Sequence, residues 1–206
     1  MIQLYGLRMS NYYSLVKAVM IYKEVEFDEV KAPPTQKDDN LARSPMGKMP
    51  SIGVNGRYLS ESVAIAQYLE QIAPEPALLP SDAFAAAKVM ELVFHIKLDV
   101  ELVARRCLGE LLFNQPTSEE TKESVKVDLE RGMAALERIL VASPYAAGDE
   151  ITLADFYAFY SFGLASGIAH KVLGVNLLGD HPRMQSVIDK MAEHPAVVQV
   201  EAEKAA

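Results

Sequence analysis

The chain has 206 residues, half of them hydrophobic, with 20 Lys and Arg against 28 Asp and Glu for a net charge of −8. That size holds one or two compact units and buries roughly 70% of the unfolded surface, so folding requires no disulfide framework or structural metal. A negative balance argues against nucleic acid and anionic membranes as partners, and Cys107 as the sole cysteine excludes an internal disulfide and a redox pair.

Short segments of alternating character at Ile2–Gly6 and 26–30 predict strands, and a third at Ser51–Val54 predicts a hairpin with Tyr58 and Leu59 across Asn55-Gly56. Asn-Gly suits the positive φ that both central positions of a type I′ turn require, so these two strands are antiparallel. Between the first two strands, Leu15, Ala18, Val19 and Tyr22 recur at helical spacing over 14–22. Strand, helix and strand then make a right-handed parallel crossover. A loop or irregular helix precedes the hairpin, and Ser62–Ile72 follows it as a helix with Ile65, Leu69 and Ile72 on one face. Pro74, Pro76 and Pro80 mark 73–81 as a linker.

Everything beyond the linker reads helical. Residues 83–113 form one long apolar-periodic run without proline. Thr117 is positioned to cap the next helix with Glu120 reaching back, and that helix extends to about residue 141. The segment Gly148 to Phe156 predicts a capping box between Thr152 and Asp155, with Ile151 and Phe156 as a hydrophobic staple. His181-Pro182 and His194-Pro195 bound the final helix, and the closing EAEKAA reads as a loose end.

Several chemistries drop out. Gly47-Lys48 lacks both the upstream glycine and the following hydroxyl of a phosphate loop. The histidines at 95, 170, 181 and 194 have no metal-ligand spacing, so no metal is expected. No signal-peptide pattern and no apolar run approaching about 18 residues is present, and a lone thiol suits a reducing compartment, so the expected location is the cytoplasm. Cys107 itself reads as a buried apolar residue.

What remains converges on the first third of the chain. Ser10-Asn11-Tyr12-Tyr13 lies where the first strand gives way to the first helix, so hydroxyls and free helix N–H groups can face an anion. Ser44-Pro45-Met46-Gly47-Lys48-Met49-Pro50-Ser51 leads into the third strand, and a cis Met49-Pro50 bond would turn the Met49 main chain toward an extended peptide. Glu61-Ser62 opens the next helix, with Ser62 offering its hydroxyl and N–H to a carboxylate and Glu61 suited to an amine.

SPMGKMPSIGVNGRYLSESVAIAQYL and GDEITLADF, in that order, resemble the cytosolic glutathione S-transferase family over essentially the full length. The resemblance implies a glutathione transferase fold: an α/β thioredoxin-like N-terminal domain over 1–77 and an all-α C-terminal domain over 84–206. It implies an enzyme with glutathione as co-substrate, conjugating the thiolate to a small hydrophobic electrophile in a homodimer. Glu61 and Ser62 would hold the γ-glutamyl end, Met49 before a cis Pro50 would pair with the cysteinyl main chain, and Lys48 would meet the glycyl end, with Arg43 or Lys37 beside it. Asp99 is a candidate for reaching the partner subunit's glutathione.

LYGLRMSNYYSLVKAV aligns without a gap on the serine-type pattern of the family and puts Ser10 at the thiol-activating serine. The chain departs from many serine-type relatives in having Tyr12 where they carry proline. Tyr12 and Tyr13 are alternatives for the hydroxyl, and Tyr5, one gap away, is another. Leu7, Met9, Tyr12, Tyr13, Leu112 and Phe113 are candidates for the electrophile's apolar wall. A hydroxyl donating to sulfur at a helix N-terminus would favour the thiolate, the reactive form of the thiol. A non-catalytic binding or regulatory module on the same fold is the competing reading, while the lack of a cysteine near the first helix counts against a thiol-disulfide reductase.

Overall fold

The computed structural model describes residues 1–205 and divides into two compact units, the first comprising Met1–Leu78 and the residues from Glu193 onward, the second Leu79–Ala192. The first unit is built on a four-stranded sheet: β1 (Ile2–Gly6), β2 (Phe27–Lys31), β3 (Ser51–Val54) and β4 (Arg57–Ser60), in the order β2-β1-β3-β4. β2 runs parallel to β1, and β3 pairs antiparallel with both β1 and β4. Asn55 and Gly56, at φ of 49° and 75°, make the hairpin turn as expected.

Alternation along β1 sorts the sheet's faces. Ile2, Leu4 and Gly6 are buried, on the side covered by α1 (Asn11–Tyr22) and α3 (Ser62–Ile72), while Tyr5 points to the other side. The α1 residues from Tyr13 to Met20 are all buried, Lys17 among them. In α3, Ile65 and Leu69 are buried, but Ile72 is 46% exposed, so the expected apolar stripe stops one turn early. The irregular stretch before β3 contains α2 (Asp38–Arg43), a single helical turn and a half with only Asn40 buried. The linker is tied down from the first unit: the buried Lys23 ammonium meets Glu70 at 2.7 Å and the Pro76 carbonyl at 2.8 Å.

The second unit is all helical. The long run expected over 83–113 begins as α4 (Ala83–Phe94) and then changes hydrogen-bond spacing. A π-helical segment covers His95–Glu101, followed by α5 (Leu102–Ala104), a 3₁₀ turn at Arg105–Cys107 and α6 (Leu108–Phe113). Next come α7 (Glu119–Ile139), α8 (Leu153–Ile168), a second π segment at Ala169–Leu173 and α9 (Pro182–Ala192). The α7 cap is Ser118, whose hydroxyl accepts from the Thr121 amide, rather than Thr117. Thr117 instead gives its amide to Glu110 at 2.9 Å. Gly132 lets α7 approach the π segment's main chain: a Cβ there would overlap the Asp99 carbonyl oxygen and lie 2.9 Å from its carbon.

The capping box at α8 forms, and its stronger half is the carboxylate: Asp155 accepts from the Thr152 amide at 2.8 Å and the Thr152 hydroxyl at 2.9 Å. It also takes the Ala146 amide at 2.7 Å, which ties down the preceding loop. Burial raises the Asp155 carboxyl pKa, and these three hydrogen bonds oppose the rise.

The last helix, α10 (Pro195–Ala205), departs from the sequence reading twice. It is helical where a loose end is expected, residue 206 lying outside the described residues, and it packs on α1 in the first unit. A buried lysine in α1 explains the placement, since Lys17 pairs with Glu203.

Candidate functional site

Strand register collects the N-terminal candidates. Tyr5 stands opposite Ser51, and Ser51 opposite Ser60. The loop leaving β1 toward Ser10, the Met49-Pro50 segment entering β3, and Glu61-Ser62 leaving β4 therefore emerge from the same end of the sheet.

Ser10 is the N-cap of α1 in extended conformation, its oxygen accepting from the Tyr13 amide at 3.4 Å. Its own amide donates to the Leu7 carbonyl at 3.0 Å. Accepting leaves the hydroxyl proton available to donate elsewhere. The first turn of α1 holds no acidic residue, so the positive end of its dipole is not neutralised locally.

The alternative hydroxyls differ in their surroundings. Tyr13 is buried, with its OH donating to Glu29 at 2.6 Å; burial first, then this carboxylate, raises its pKa. Its ring fills the space where Gly6 would carry a side chain. Tyr5 lies on the outer face, where its OH donates to Gln3 at 2.7 Å, Arg43 sits 5.1 Å over its ring, and Tyr58 meets it edge-on at 6.1 Å. Burial, more than any neighbour, raises its pKa as well. Tyr12 is partly buried and Met9 is 71% exposed.

At the second segment the Met49-Pro50 peptide is cis, with Pro50 buried, Met49 partly buried and Lys48 exposed. Gly47 precedes them at φ 65°, and a Cβ there would lie 2.5 Å from the Thr35 carbonyl, so the loop's path depends on glycine. At the third segment, Glu61 is exposed and adopts φ 73°, ψ 116°, an uncommon conformation for a side chain-bearing residue. Ser62, buried, is the first residue of α3, whose first turn also lacks acidic residues.

Arg43 and Lys37, expected beside Lys48, line an outer-face pocket of about 290 Å³ with Tyr5, Val30 and Lys31. In the second unit, Asp99 lies on the π segment with its carboxylate 2.6 Å from His95 Nδ1. Leu112 and Phe113 are exposed at the end of α6, and Cys107 is buried. No cluster of metal ligands occurs among the described residues, and no helix there is long and apolar enough to cross a membrane.

Sequence reasoning misses one charged cluster altogether. Glu29 on β2 receives Arg8 at 2.8 and 3.3 Å, Lys17 at 2.7 Å and the Tyr13 hydroxyl. Burial pushes the Glu29 pKa up, but hydrogen bonds from Arg8, Lys17 and Tyr13 and the Lys17 charge bring it to about 2. Lys17 also contacts Glu203, and Arg8 reaches the Glu203 carbonyl at 3.2 Å. The available signal was a lone lysine inside the apolar run Leu15-Val16-Lys17-Ala18-Val19.

Residues 4–77 match the model of the glutathione S-transferase N-terminal domain, and residues 105–204 that of the C-terminal domain. A glutathione S-transferase of Pseudomonas putida is 38% identical over 206 residues, covering 100% of this chain and 94% of the relative. A maleylacetoacetate isomerase of Pseudomonas aeruginosa is 30% identical over 164 residues, covering 76% of this chain and 72% of its own length. Among solved structures, a glutathione transferase homologue from Sulfitobacter with bound glutathione superposes with a TM-score of 0.77 at 20% identity, covering 98% of each chain. A bacterial zeta-class maleyl pyruvate isomerase gives the same TM-score at 24% identity, over 96% of this chain and 95% of the other. At such identities these two structures are similar in fold.

Proposed function

The chain belongs to the glutathione S-transferase family, an enzyme with glutathione as its co-substrate, and from that premise we propose how it holds and activates the tripeptide. The γ-glutamyl carboxylate meets the Ser62 hydroxyl and the N-terminus of α3, with Glu61 receiving the amine. The cysteinyl main chain pairs with Met49 beside Pro50, and Lys48 reaches the glycyl carboxylate. Ser10 donates its hydroxyl proton to the sulfur. The observation that carries this reading is the Tyr5, Ser51, Ser60 register, because it delivers all three segments to one end of the sheet.

A free thiol with pKa near 8.5 is only a few per cent ionised at neutral pH. Lowering that value by about two units requires roughly 2.7 kcal/mol of preference for the thiolate. One hydrogen bond to a charged acceptor supplies about 1.5–3 kcal/mol, and the end of α1 adds to it. Ser10 supports this assignment because its oxygen accepts from the helix and its proton remains to be given. Tyr13 and Tyr5 already donate to Glu29 and Gln3. The thiolate then forms a C–S bond to an electrophilic carbon placed near Leu7, Met9 and Tyr12, and the bond from that carbon to its leaving group breaks, releasing it as an anion (chloride from a chlorodinitrobenzene).

The test is Ser10→Ala, reading the ultraviolet absorbance of bound thiolate against pH and the rate with a chlorodinitrobenzene. The bound thiol should titrate about one to two units higher and kcat below pH 7 should fall about 10- to 100-fold. An unchanged titration refutes the role of Ser10.

The isomerase relative favours a second use of the same thiolate: addition to an activated cis double bond, rotation about the resulting single bond, and elimination that restores glutathione. A cis-enone diacid converted to its trans isomer without net loss of glutathione would select this reaction over conjugation. We further propose a cytoplasmic homodimer, in which Asp99 reaches the glutathione bound by the partner subunit; sedimentation of a single-chain mass would overturn the dimer.

A further inference from the structure

We propose that Arg8 is a positioning residue for thiol activation, fixing the loop that carries Ser10 by clamping it to β2 and the last helix. The inference rests on the assignment of Ser10 above. The loop from β1 to α1 is short, and its other side chains anchor it weakly: Met9 is 71% exposed and Leu7 only partly buried. Arg8 is held at both ends. Its guanidinium makes a two-point contact with Glu29, through Nη2 to Oε1 at 2.8 Å and Nε to Oε2 at 3.3 Å, while Nη1 donates to the Glu203 carbonyl at 3.2 Å. Its own carbonyl accepts from the Ser14 hydroxyl at 3.1 Å, and Ser14 is buried in α1. Ser10 follows two residues later.

The clamp's receptor is itself immobilised. The Tyr13 hydroxyl and the Lys17 ammonium fix the Glu29 carboxylate at 2.6 and 2.7 Å, and Lys17 is in turn bound to Glu203 on α10. A planar fork held on a fixed carboxylate defines direction as well as distance, which a lysine cannot do. Arg8 carries the demand for accuracy because a donor displaced by about 1 Å from a reacting atom can cost about 100-fold in rate. It need not touch glutathione to exert this effect.

Arg8→Met and Arg8→Lys, assayed beside Ser10→Ala and the double variant Arg8→Met/Ser10→Ala, separate the possibilities. Arg8→Met should lower kcat about tenfold with KM for glutathione within about twofold, and raise the bound thiol's titration by about one unit. Arg8→Lys should fall nearly as far, since charge without the fork does not hold the loop. In the Ser10→Ala background Arg8→Met should cost nothing more. Glu29→Gln, which keeps the shape and removes one acceptor, should reproduce the kinetic signature if Arg8→Met folds poorly. Wild-type kcat and titration in Arg8→Met, full activity in Arg8→Lys, or losses that multiply with Ser10→Ala overturn the proposal. A harmless Ser10→Ala overturns the underlying assignment instead.

Discussion

Gly132→Ala sets two opposite effects against each other in the middle of α7. Helix propensity favours alanine over glycine by up to about 1 kcal/mol at an interior position. The added Cβ, however, overlaps the Asp99 carbonyl oxygen, lies 2.9 Å from the Asp99 carbon and sits 3.3 Å from a Val100 methyl. The two nearest struck atoms are main chain in the π segment, so no rotamer change relieves those contacts, and overpacking of this kind costs about 1–3 kcal/mol. With those two atoms unable to yield, the upper end applies, and the net loss is about 1–2 kcal/mol. At roughly 2–4 °C per kcal/mol for a chain of this size, the melting midpoint should fall by about 2–8 °C. Gly163→Ala in α8 is the control: nothing lies within 4 Å of its Cβ position, so propensity acts alone and the midpoint should rise by about 2–4 °C. Differential scanning calorimetry on both variants reads the contrast. A Gly132→Ala protein melting at or above the wild type would refute the close approach of α7 to residues 95–101.

Acid should act on the Glu29 cluster. The folded pKa of about 2 lies below the ordinary glutamate value of 4.5, so the unfolded chain binds more protons between those values. The stabilisation is therefore full above about pH 4.5 and lost as pH falls toward 2, and Glu29→Gln should flatten that part of a urea-midpoint-against-pH curve. Asp155→Ala should destabilise more than Thr152→Ala in urea denaturation: about 3–5 kcal/mol for three stranded buried donors against about 1 kcal/mol for the cap. Arg183 donates to the carbonyls of Glu137, Leu140 and Val141 at the end of α7, so Arg183→Ala should lower the melting temperature and increase hydrogen exchange in that last turn.

The sequence is most informative where the determinant is local. Asn55-Gly56 specifies its hairpin, Thr152 and Asp155 specify a helix start, and the alternation of Ile2, Leu4 and Gly6 specifies a strand, each within a few residues. α2 is legible only as a loop or irregular helix, because Asp38–Arg43 buries one residue and offers no apolar period. The π segments escape because side-chain spacing records which positions are apolar, whereas the shift from α to π spacing is a matter of main-chain hydrogen bonds. Thr117 and Ser118 are both competent caps, and the choice between them turns on Glu110 seven residues upstream of Thr117. Ser10, Met49, Glu61 and Ser62 are recognisable from motif and position, but their common end of the sheet depends on strand order. The Arg8, Glu29, Lys17 and Glu203 cluster is invisible to any window, since its members come from four separate segments.

The attachment of α10 to α1 has a consequence for the order of events during synthesis. Lys17 and its partner Glu203 are separated by 186 positions in the chain. At roughly 5–20 residues per second, the ribosome takes on the order of ten to forty seconds to cover that interval. A nascent first unit thus holds its buried ammonium against Glu29 through translation of every intervening helix, and the second carboxylate, together with the main-chain carbonyl that receives Arg8 in the loop before Ser10, arrives only once α10 has been made.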